Sequence, residues 1–464
     1  MRSFLSLIFF SFLLNLPAQN GGDSNADQVH PRLQITNLKG GEFQPRTGGL
    51  ALDDQGQLYL CTWTTAGSVY RHSGKIGDTT ATRIAAGLAE PLGLQFYQGD
   101  LYVAQRQELT RLRDLNQDGI YDAYETVYST WPQSGNFHEL AFGMPMIGDH
   151  FLIGLSLPTK SSGELVTELS EGRGLIMKIK ADGEAATFAS GLNTPSGLSK
   201  VFEDQLLVTD QLGKNFQAAR LLFLGEGEDA GFHAGTLNAE AMSPLLWVPR
   251  NNVFEKPGQA IMLSAGPYEG QIFFGDVVGG GLARVSLEEV NGQYQGCLYK
   301  FSRGFDAGIF RIVEGRDGQL YLGGIDGTGN WGFPRFQRIA LHRVDWQEAK
   351  AFELSQVKAR ANGFVLEFSA PIADAVQDTS LHIKLNQWHY QSDGSRSAVE
   401  SIEIDSISFS DNRKEVFVQC AQLSSQKVVH LQLNELLLSQ AGDMILNPEA
   451  WYTLNEIPDK SGPN

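Results

Sequence analysis

Gly49-Leu-Ala-Leu-Asp-Asp-Gln-Gly-Gln-Leu-Tyr-Leu60 is a stretch in which two apolar runs flank a polar turn. Within each run, apolar residues recur with the period of two that is typical of β-strands. The Asp-Asp-Gln-Gly segment between the runs favours a tight turn, because Asp and Gly accept the backbone angles that such turns require. We therefore interpret residues 49–60 as a β-hairpin.

The same phrase recurs along the chain. Clear or weaker copies lie at 93–103, 140–154, 197–210, 270–275 and 310–323. Hairpins spaced by roughly 40–80 residues suit four-stranded blades, and a closed ring of blades buries both faces of each blade. We predict an all-β chain with a six-bladed β-propeller over residues 41–345; five or seven blades are the alternatives.

The pattern changes after residue 345. Short alternating strands without the propeller phrase occur at 363–369, 401–410, 415–420 and 428–433. Several short strands separated by turn residues are typical of a sandwich of two antiparallel sheets. We predict a small C-terminal β-sandwich domain over residues 350–458.

Charge limits the classes of partner. The chain has 464 residues and a formal net charge of −17. Nucleic acids and anionic membrane surfaces bind to clustered Lys and Arg, so the sequence predicts neither partner. A small neutral ligand, a sugar, a cation or a basic protein remains compatible, as does an acidic surface with no partner.

The N-terminus has the pattern of an export signal. Arg2 precedes the apolar run 4–14, and Leu16-Pro17-Ala18 is a candidate cleavage site. We predict a signal peptide over residues 1–18, a linker over 19–40, and a periplasmic, secreted or cell-surface location. An uncleaved N-terminal anchor is the alternative. No later segment is long and apolar enough to predict a transmembrane span.

The cysteines do not indicate a redox cofactor. Cys61, Cys297 and Cys420 form an odd set, which leaves at least one free thiol. Cys61 and Cys420 lie in strand-like runs and are interpreted as small buried core residues. No Cys-x-x-Cys-His motif occurs, so we predict no c-type haem.

Residues 114–125 match a twelve-residue calcium loop. The predicted oxygen ligands are Asp114, Asn116, Asp118, the carbonyl of Ile120, Asp122 and Glu125. Gly119 occupies the sharp turn. The flanking segments alternate like strands, whereas an EF-hand has a helix on each side. We therefore predict a structural Ca²⁺ that ties a loop of the second blade; a solvated acidic turn is the alternative.

Several further phrases resemble a known group of proteins. They are Leu-Asn-Thr-Pro-Ser-Gly-Leu at 192–198, Leu-Trp-Val-Pro at 246–249, Gly-Gln-Ile-Phe-Phe-Gly-Asp at 270–276, Val-Asn-Gly-Gln-Tyr-Gln-Gly at 290–296 and Tyr-Thr-Leu-Asn-Glu-Ile-Pro at 452–458. The chain is similar to exported glucose/sorbosone dehydrogenase-like β-propellers of the membrane-bound dehydrogenase group. Many members carry a fused haem domain, which this sequence does not contain. The likeness is more specific for fold than for activity.

The resemblance implies a catalytic base. Soluble quinoprotein sugar dehydrogenases use a His that takes a hydroxyl proton while hydride passes to pyrroloquinoline quinone (PQQ), with a calcium ion polarising the quinone. His138, in Asn-Phe-His-Glu at 136–139, matches this residue. Imidazole suits the role because its ordinary pKa lies near working pH. Glu139 is expected to orient His138 or to raise its pKa. A purely structural His138 is the alternative.

The cofactor-binding positions depart from the implied pattern. The Arg that contacts the quinone is replaced by Asn193, and the acidic calcium segment is replaced by Asp210-Gln-Leu-Gly-Lys-Asn-Phe-Gln217. Lys214 and Arg250 remain as candidate cations for the quinone carboxylates, with a surface Arg as the alternative for Arg250. The axial channel is expected to hold the cofactor.

These residues favour one function and leave another open. The first is oxidation of a carbohydrate or polyol hydroxyl, with His138 as base and a separate electron carrier as acceptor. The alternative is a non-catalytic propeller module that binds glycans or proteins. A lactonase or hydrolase with a central calcium is a third hypothesis. Trp131 and Trp331 are candidates for stacking on a sugar ring, with packing in the core as the alternative for each.

Overall fold

The structure, a computed structural model, describes residues 29–160, 162–238, 241–250, 254, 256–325, 339–420 and 422–459. These residues form strands and two short 3-10 helices, Thr167–Leu169 and Asp378–Leu381. The predicted all-β class is confirmed. No helix in the described part of the chain is long and apolar enough to cross a lipid bilayer. The predicted signal peptide at 1–18 lies outside the described residues.

The strands up to residue 346 alternate with turns. In chain order they are β1 (Leu33–Asn37), β2 (Thr47–Leu52), β3 (Leu58–Thr62), β4 (Gly67–His72), β5 (Thr82–Leu88), β6 (Gly93–Tyr97), β7 (Asp100–Ala104), β8 (Leu109–Arg113), β9 (Ala123–Tyr128), β10 (Ala141–Phe142), β11 (Met146–Ile147), β12 (His150–Leu155), β13 (Leu175–Lys180), β14 (Ala185–Ala189), β15 (Pro195–Lys200), β16 (Leu206–Asp210), β17 (Ala218–Leu224), β18 (Phe232–His233), β19 (Thr236–Leu237), β20 (Leu246–Pro249), β21 (Pro257–Met262), β22 (Ile272–Asp276), β23 (Leu282–Val290), β24 (Gln293–Ser302), β25 (Gly308–Glu314), β26 (Leu320–Ile325) and β27 (Ala340–Trp346).

The C-terminal part has nine further strands among the described residues. They are β28 (Phe352–Arg360), β29 (Gly363–Phe368), β30 (Lys384–Trp388), β31 (Glu400–Ile402), β32 (Ser406–Phe409), β33 (Glu415–Gln419), β34 (Lys427–Gln432), β35 (Ile445–Leu446) and β36 (Glu449–Leu454).

Four-stranded antiparallel sheets follow one another along the described chain. Their strand orders are β2-β3-β4-β5 in the first, β6-β7-β8-β9 in the second, β10-β12-β13-β14 in the third with β11 also on β12, β15-β16-β17-β20 in the fourth, β21-β22-β23-β24 in the fifth and β25-β26-β27-β1 in the sixth. The first strand of each sheet is its inner strand. Inner strand β2 contacts both β6 and β25, and β21 contacts both β15 and β25, so the sheets surround a common axis.

The repeated phrase forms the inner hairpin of the sheets. The segment 49–60 pairs β2 with β3, with Leu50 opposite Leu60 and Leu52 opposite Leu58. The segments 93–103, 197–210 and 310–323 pair in the same way. The alternating pattern therefore predicted these hairpins correctly.

Glycine at the start of an inner strand has a packing reason. A Cβ atom on Gly93 would overlap the carbonyl oxygen of Gly143 in the next sheet. A Cβ on Gly308 would overlap the carbonyl oxygen of Val277. Because the neighbouring sheet approaches the start of an inner strand this closely, only glycine fits at these positions.

The predicted linker over 19–40 is corrected by the structure. Its residues 33–37 form β1, which pairs with β27 so that Leu33 lies opposite Trp346 and Asn37 opposite His342. The outer strand of the sixth sheet thus comes from the N-terminal side, and its other strands come from the end of the propeller segment. Joining the two ends of the ring in one sheet stabilises closure, because the ring opens only if this ladder breaks.

The C-terminal strands are continuous with the ring. β36 pairs with β24, with Cys297 opposite Tyr452, and the fifth sheet extends through β36, β34, β30 and β31. A second sheet, β32-β33-β29-β28-β35, packs on this extension through a shared core that includes Tyr299 and Phe364. The segment 350–458 therefore contributes two facing sheets, one of which is built on a propeller strand.

The cysteines are buried and unpaired. Cys61, Cys297 and Cys420 all lie in the core without a disulfide, as the sequence predicted for Cys61 and Cys420. Burial raises the pKa of the Cys61 and Cys297 thiols to about 12. Thiols that stay protonated and inaccessible do not act as nucleophiles or metal ligands.

Candidate functional site

Two cavities lie at opposite ends of the inner strands. The first, the axial cavity, has a volume of about 390 Å³ and is lined by inner-strand residues of five sheets and, in the third sheet, by residues 143–145 after β10. The second, the upper pocket, has a volume of about 280 Å³ and lies at the N-terminal ends of the inner strands of the third to fifth sheets. Its described lining residues are His138, Leu140, Ser156, Thr159, Ser162, Gly163, Asn193, Thr194, Gln211, Gly213, Lys214, Arg250 and Lys256.

The upper pocket brings together the residues that the sequence singled out for catalysis and cofactor binding. His138, Asn193, Lys214 and Arg250 all line it, although they are spread over more than a hundred residues of the chain. None of the four lines the axial cavity. The candidate cofactor-binding residues therefore lie in a pocket formed by loops above the inner strands, and the cofactor's location stays a prediction.

His138 is held in one orientation. Its Nδ1 lies 3.0 Å from the carbonyl oxygen of Thr159, which can only accept a hydrogen bond, so Nδ1 carries the proton. In the neutral ring, Nε2 is then the atom with a free lone pair. The loop is fixed as well, because the Asn136 side chain accepts from the His138 backbone N–H and donates to the same Thr159 carbonyl. The arrangement gives a half-buried imidazole whose unprotonated nitrogen is available to the pocket.

Glu139 does not orient His138. Its carboxylate is buried and accepts hydrogen bonds from the backbone N–H and hydroxyl of Ser134, at 2.6 and 2.7 Å. The carbonyl of Thr159 orients the His138 ring instead. Arg173, which the sequence reasoning missed, supports the loop by donating to the carbonyls of Pro132, Leu140 and Ser156 at 2.7 Å each. Burial lowers the pKa of Arg173 to about 10.

Asn193 sits in a turn held by a buried ion pair. One oxygen of Asp210 accepts from the backbone N–H groups of Asn193 and Thr194, at 3.0 and 2.8 Å. The other oxygen accepts from Arg220 at 2.9 and 3.1 Å, and neither charged side chain is exposed to solvent. Both oxygens of Asp210 are thus engaged by protein donors. The one acidic residue that remained of the calcium segment supports the turn beneath the pocket.

Cationic side chains occupy the rim. Lys214 is exposed and lies against Gly163, while Arg250 and Lys256 are half-buried. Arg250 follows β20, and its backbone N–H donates to the carbonyl of Gln217. No Asp or Glu is found among the described residues that line the pocket. The charged side chains among the described lining residues are therefore all cationic, in a chain whose net charge is −17.

The axial cavity has a different central residue. Arg311 on β25 is 2% exposed and donates to the carbonyls of Gly48, Leu92 and Ser196 at 2.7, 2.9 and 2.7 Å. These carbonyls belong to three different sheets of the ring. Burial lowers the pKa of Arg311 to about 9. Arg311 thus ties sheets together at the upper end of the axial cavity.

The predicted calcium ligands are only partly brought together. Asp114 accepts from the N–H groups of Asp118 and Gly119, and Asp122 accepts from those of Leu115 and Asn116. Asp118 likewise accepts from the N–H of Ile120.

Glu125 is turned away from this set. It lies on β9 and pairs across the strand with Arg111 and Arg113, at 3.6 and 3.3 Å. In the described part of the chain, no three His, Cys, Asp or Glu side chains converge as a metal-binding group. The loop has the donor chemistry for calcium, but Glu125 would have to leave its arginines to bind the ion. The calcium site stays a prediction.

Trp131 does not support sugar stacking. Trp131 is 4% exposed, and its ring N–H donates to the carbonyl of Arg106, so it is a packing residue. Trp331 lies outside the described residues. Lys256, Thr159 and Gln211 were not singled out from the sequence. A single Lys or Gln forms no recognisable sequence motif. Every residue has a backbone carbonyl, so the contribution of Thr159 could not be predicted from its residue type.

Comparison with known proteins supports the fold. No protein-family model matches the chain, and no curated protein matches it in sequence. Among solved structures, an oxidoreductase of Thermus thermophilus, described as a glucose dehydrogenase, is 16% identical with a TM-score of 0.54. The chain has the fold of the sugar-dehydrogenase propellers. The PQQ-bound form of aldose sugar dehydrogenase from Streptomyces coelicolor is also 16% identical, with a TM-score of 0.51.

Each of these two matches covers 68% of this chain and 100% of the other chain. The whole of those proteins is thus represented here, and the present chain has additional segments. At this identity the similarity establishes the sugar-dehydrogenase fold and leaves the activity to be argued from the upper pocket.

Proposed function

We propose that this chain is an exported, sugar-dehydrogenase-like protein that oxidises a carbohydrate or polyol hydroxyl in the upper pocket. The observation that supports this proposal is the 3.0 Å contact between His138 Nδ1 and the Thr159 carbonyl oxygen. With Nδ1 donating to the Thr159 carbonyl, Nε2 of the neutral ring is an unprotonated nitrogen beside a cavity of about 280 Å³. The two similar structures, described as a glucose dehydrogenase and an aldose sugar dehydrogenase, agree with this substrate class.

In the proposed reaction, His138 Nε2 accepts the proton of the substrate hydroxyl as the carbon is oxidised. The Thr159 carbonyl holds the opposite side of the ring, so the imidazolium that forms keeps its Nδ1 hydrogen bond. Asn136 fixes the loop, and the pocket walls orient the substrate. PQQ, the proposed cofactor, supplies the hydride acceptor when bound, and a separate carrier would take the electrons onward.

The pocket fits one part of this cofactor and not another. Lys214 and Arg250 are suited to hold its carboxylates, and Asn193 would contact it in place of Arg. The described lining offers no carboxylate to its calcium, and both oxygens of Asp210 are engaged. No step of the proposed reaction is therefore assigned to calcium.

The test is reconstitution. We expect protein incubated with PQQ, with and without calcium, to reduce an artificial dye in the presence of aldoses or polyols. His138→Ala should abolish the reduction, and His389→Ala, which removes an exposed histidine of the C-terminal segment, should leave it unchanged. Absence of a bound-quinone spectrum together with absence of dye reduction would reject the enzymatic proposal.

A non-catalytic carbohydrate-binding module is the second candidate. It is favoured by the replacement of the quinone-contacting Arg by Asn193 and by the structural use of Asp210. In that case, His138→Ala would retain binding on a glycan array, and no substrate would reduce the dye with any variant.

Export and domain organisation belong to the same proposal. Residues 1–18 are proposed as a signal peptide on the basis of their sequence pattern. We propose a ring over 41–345 that also includes residues 33–37, followed by the C-terminal sheets over 350–458. N-terminal sequencing of the secreted or periplasmic protein tests the export signal.

A further inference from the structure

A third cavity, the joint cavity, lies where the two ends of the ring meet the C-terminal segment. It has a volume of about 520 Å³ and shares no lining residue with the axial cavity or the upper pocket. Its lining includes Arg32, next to β1, Trp346, at the end of β27, and Pro267. Pro267 lies in the turn after inner strand β21, so the joint cavity is at the end of the inner strands opposite to the upper pocket.

Main-chain contacts fix one wall of the joint cavity. The backbone carbonyl of Arg32 accepts from the N–H of Gln347 at 2.9 Å, and the Gln347 side chain donates to the carbonyl of Pro31 at 2.7 Å. The indole N–H of Trp346 donates to the carbonyl of Gly318 at 2.9 Å. These contacts continue the ladder between β1 and β27. A wall that is held before a ligand arrives reduces the entropy lost on binding.

The turn that carries Pro267 is fixed as well. Glu314 accepts hydrogen bonds from the N–H and the hydroxyl of Ser264, at 2.8 and 2.9 Å. A Cβ atom built on Gly266 would lie 3.3 Å from the ring of Trp346, so the turn packs closely on the indole. The turn and the half-buried indole therefore form a rigid apolar side of the joint cavity.

Arg32 brings an unpaired donor to this cavity. Its Cζ atom lies 5.7 Å from the centroid of the Tyr268 ring, a cation–π contact that holds the guanidinium in place. Its Nε is buried and has no hydrogen-bond partner within the part of the chain that the structure describes. Buried donors in proteins nearly always have an acceptor, and those of a guanidinium are charged. Arg32 therefore indicates a ligand that offers oxygen acceptors.

The buried carboxylate of Glu353 does not supply these acceptors. One of its oxygens accepts from the hydroxyl of Tyr268 at 2.6 Å. The other lies 3.5 Å from His30 Nε2 and 3.7 Å from Arg284. Glu353 is thus engaged by other donors.

The charges and the shape of the lining favour an anion on a ring. Arg32 and Lys350 are cationic, and Glu348 is the one acidic side chain among the described lining residues. The guanidinium fork binds a carboxylate or phosphate through Nε and an Nη atom together. Trp346 and Pro267 provide apolar surface beside that fork, which suits a flat ring. The volume of the cavity lies within the range of about 300–1,000 Å³ that is usual for small-molecule sites.

We infer that the joint cavity binds an organic anion, namely a carboxylate or phosphate carried on an apolar or aromatic ring. Arg32 binds the anionic group, Lys350 adds positive charge at the rim, and Trp346 and Pro267 contact the ring. The inference does not depend on the proposed function, because the joint cavity and the upper pocket have no residue in common.

The experiment is a titration of the whole protein followed by saturation-transfer NMR. The probes are benzoate and phenyl phosphate, with benzamide as a neutral analogue of benzoate and acetate as an anion without a ring. We expect benzoate or phenyl phosphate to bind about ten-fold more tightly than benzamide and acetate, because charge-assisted hydrogen bonds and ring contacts then act together. Tighter binding of benzoate identifies a carboxylate ligand, and tighter binding of phenyl phosphate identifies a phosphate ligand.

The matched variants are Arg32→Gln and Arg83→Gln, which remove an arginine from the joint cavity and from an exposed position on β5. We expect Arg32→Gln to weaken binding of the anionic probe about ten-fold and Arg83→Gln to leave it unchanged. Glu348→Gln should strengthen binding about two-fold, because it removes a negative charge from the rim. Glu348 is exposed, so this variant tests the charge of the site even if Arg32→Gln does not fold.

Three results would overturn the inference: binding of benzamide as tight as that of both anionic ring probes, unchanged affinity in Arg32→Gln together with Glu348→Gln, or no binding of any probe. Dye reduction that depends on His138 would keep the proposed function in each of these cases. The two ideas therefore fail separately.

Discussion

The axial cavity and the upper pocket lie at opposite ends of the same inner strands, but they are built differently. The axial cavity is lined by strand residues and crossed at one end by Arg311, whose guanidinium is bound by three backbone carbonyls. The upper pocket is lined by loop side chains, with cations at its rim and an oriented imidazole.

We infer from this difference that residues at the axial cavity stabilise the ring, whereas residues at the upper pocket bind ligand. Carbonyls of regular strands recur in every sheet, so a residue that donates hydrogen bonds to them, such as Arg311, stabilises the ring as a whole. Loop residues are free to differ between sheets, and His138, Asn193 and Lys214 differ accordingly. Substitutions around the axial cavity should change the free energy of unfolding, and those around the upper pocket should change ligand binding. The following predictions test that separation.

The largest effect is expected from Asp210→Asn, because Asp210 contributes both to the stability of the ring and to the shape of the upper pocket. Asp210 belongs to a strand but supports the pocket turn, and the substitution leaves Arg220 buried without a counter-charge. We expect the free energy of unfolding to fall by about 3–5 kcal/mol, measured by chemical denaturation. Asp204→Asn, at an exposed turn of the same sheet, is the control and should have no effect. A fully stable Asp210→Asn protein would contradict the role of the ion pair.

Arg311→Met should have the next largest effect. It removes the donors of three buried carbonyls in three sheets and keeps a side chain of similar length. We expect a loss of about 2–4 kcal/mol in the free energy of unfolding. Arg316→Met changes an exposed residue of the same sheet and serves as the matched variant. Equal stability of the two variants would show that Arg311 does not tie the ring.

The joint between the fifth sheet and the C-terminal strands should be sensitive to acid. Burial raises the pKa of Glu449 on β36, but hydrogen bonds from His430 and from Lys300 on β24 outweigh it and lower the pKa from 4.5 to about 2. Because the folded value is the lower one, the stabilisation is present above pH 4.5 and is lost as pH falls towards 2.

We expect this loss to amount to about 2 kcal/mol in pH-dependent unfolding of the wild-type protein. Glu449→Gln should lack that component while remaining less stable at neutral pH. An identical pH dependence in both proteins would contradict the assignment. The joint is thus built from strands, like the axial cavity, yet depends on charged side chains, like the pocket.

The smallest effect is expected at the loop 114–125, a loop region with a predicted structural role. Calcium at several times its dissociation constant should stabilise the protein by about 1 kcal/mol, since only the folded loop binds it. Calorimetry should therefore give a melting temperature about 2–4 °C lower in chelator. Asp114→Asn should remove the difference. Equal melting temperatures of the wild-type protein in calcium and in chelator would reject the site.

Local patterns predicted much of the ring. The alternation and turn in 49–60 correctly predicted the pairing of β2 with β3, because side-chain direction in a hairpin depends on nearby residues alone. The strand β1 also alternates, at Leu33 and Ile35, but it is five residues long and its partner strand lies far away in sequence, at 340–346, so no hairpin pattern reveals it. Interpreting it as part of a linker was therefore wrong.

The C-terminal segment shows the same limit. Its strands were predicted from their alternation, but the pairing of β36 with β24 was not. Hydrogen bonds between backbone groups are the same for nearly every residue type, so the sequence of a strand does not predict which strand it pairs with. The continuity of the fifth sheet with the C-terminal strands follows from the tertiary structure alone.

At the site, residue type was predictable and surroundings were not. His138 was identified as a base candidate, but Glu139, next to it in sequence, points to Ser134, and the orienting group is the carbonyl of Thr159. Asp210 was recognised as the remnant of a calcium segment, and only its buried contacts reveal that it supports a turn. Neighbours in sequence share a loop but often face opposite sides of it.

By itself, the sequence determined that this chain is an all-β protein built on repeated hairpins, with an acidic surface and a small set of candidate polar residues. Only the tertiary structure decided that His138, Asn193, Lys214 and Arg250 line one pocket with Lys256 and with no described carboxylate. The reason is physical: hairpins form from contacts between residues close in sequence, whereas the charge of a pocket is the sum over loops that the closed ring brings together.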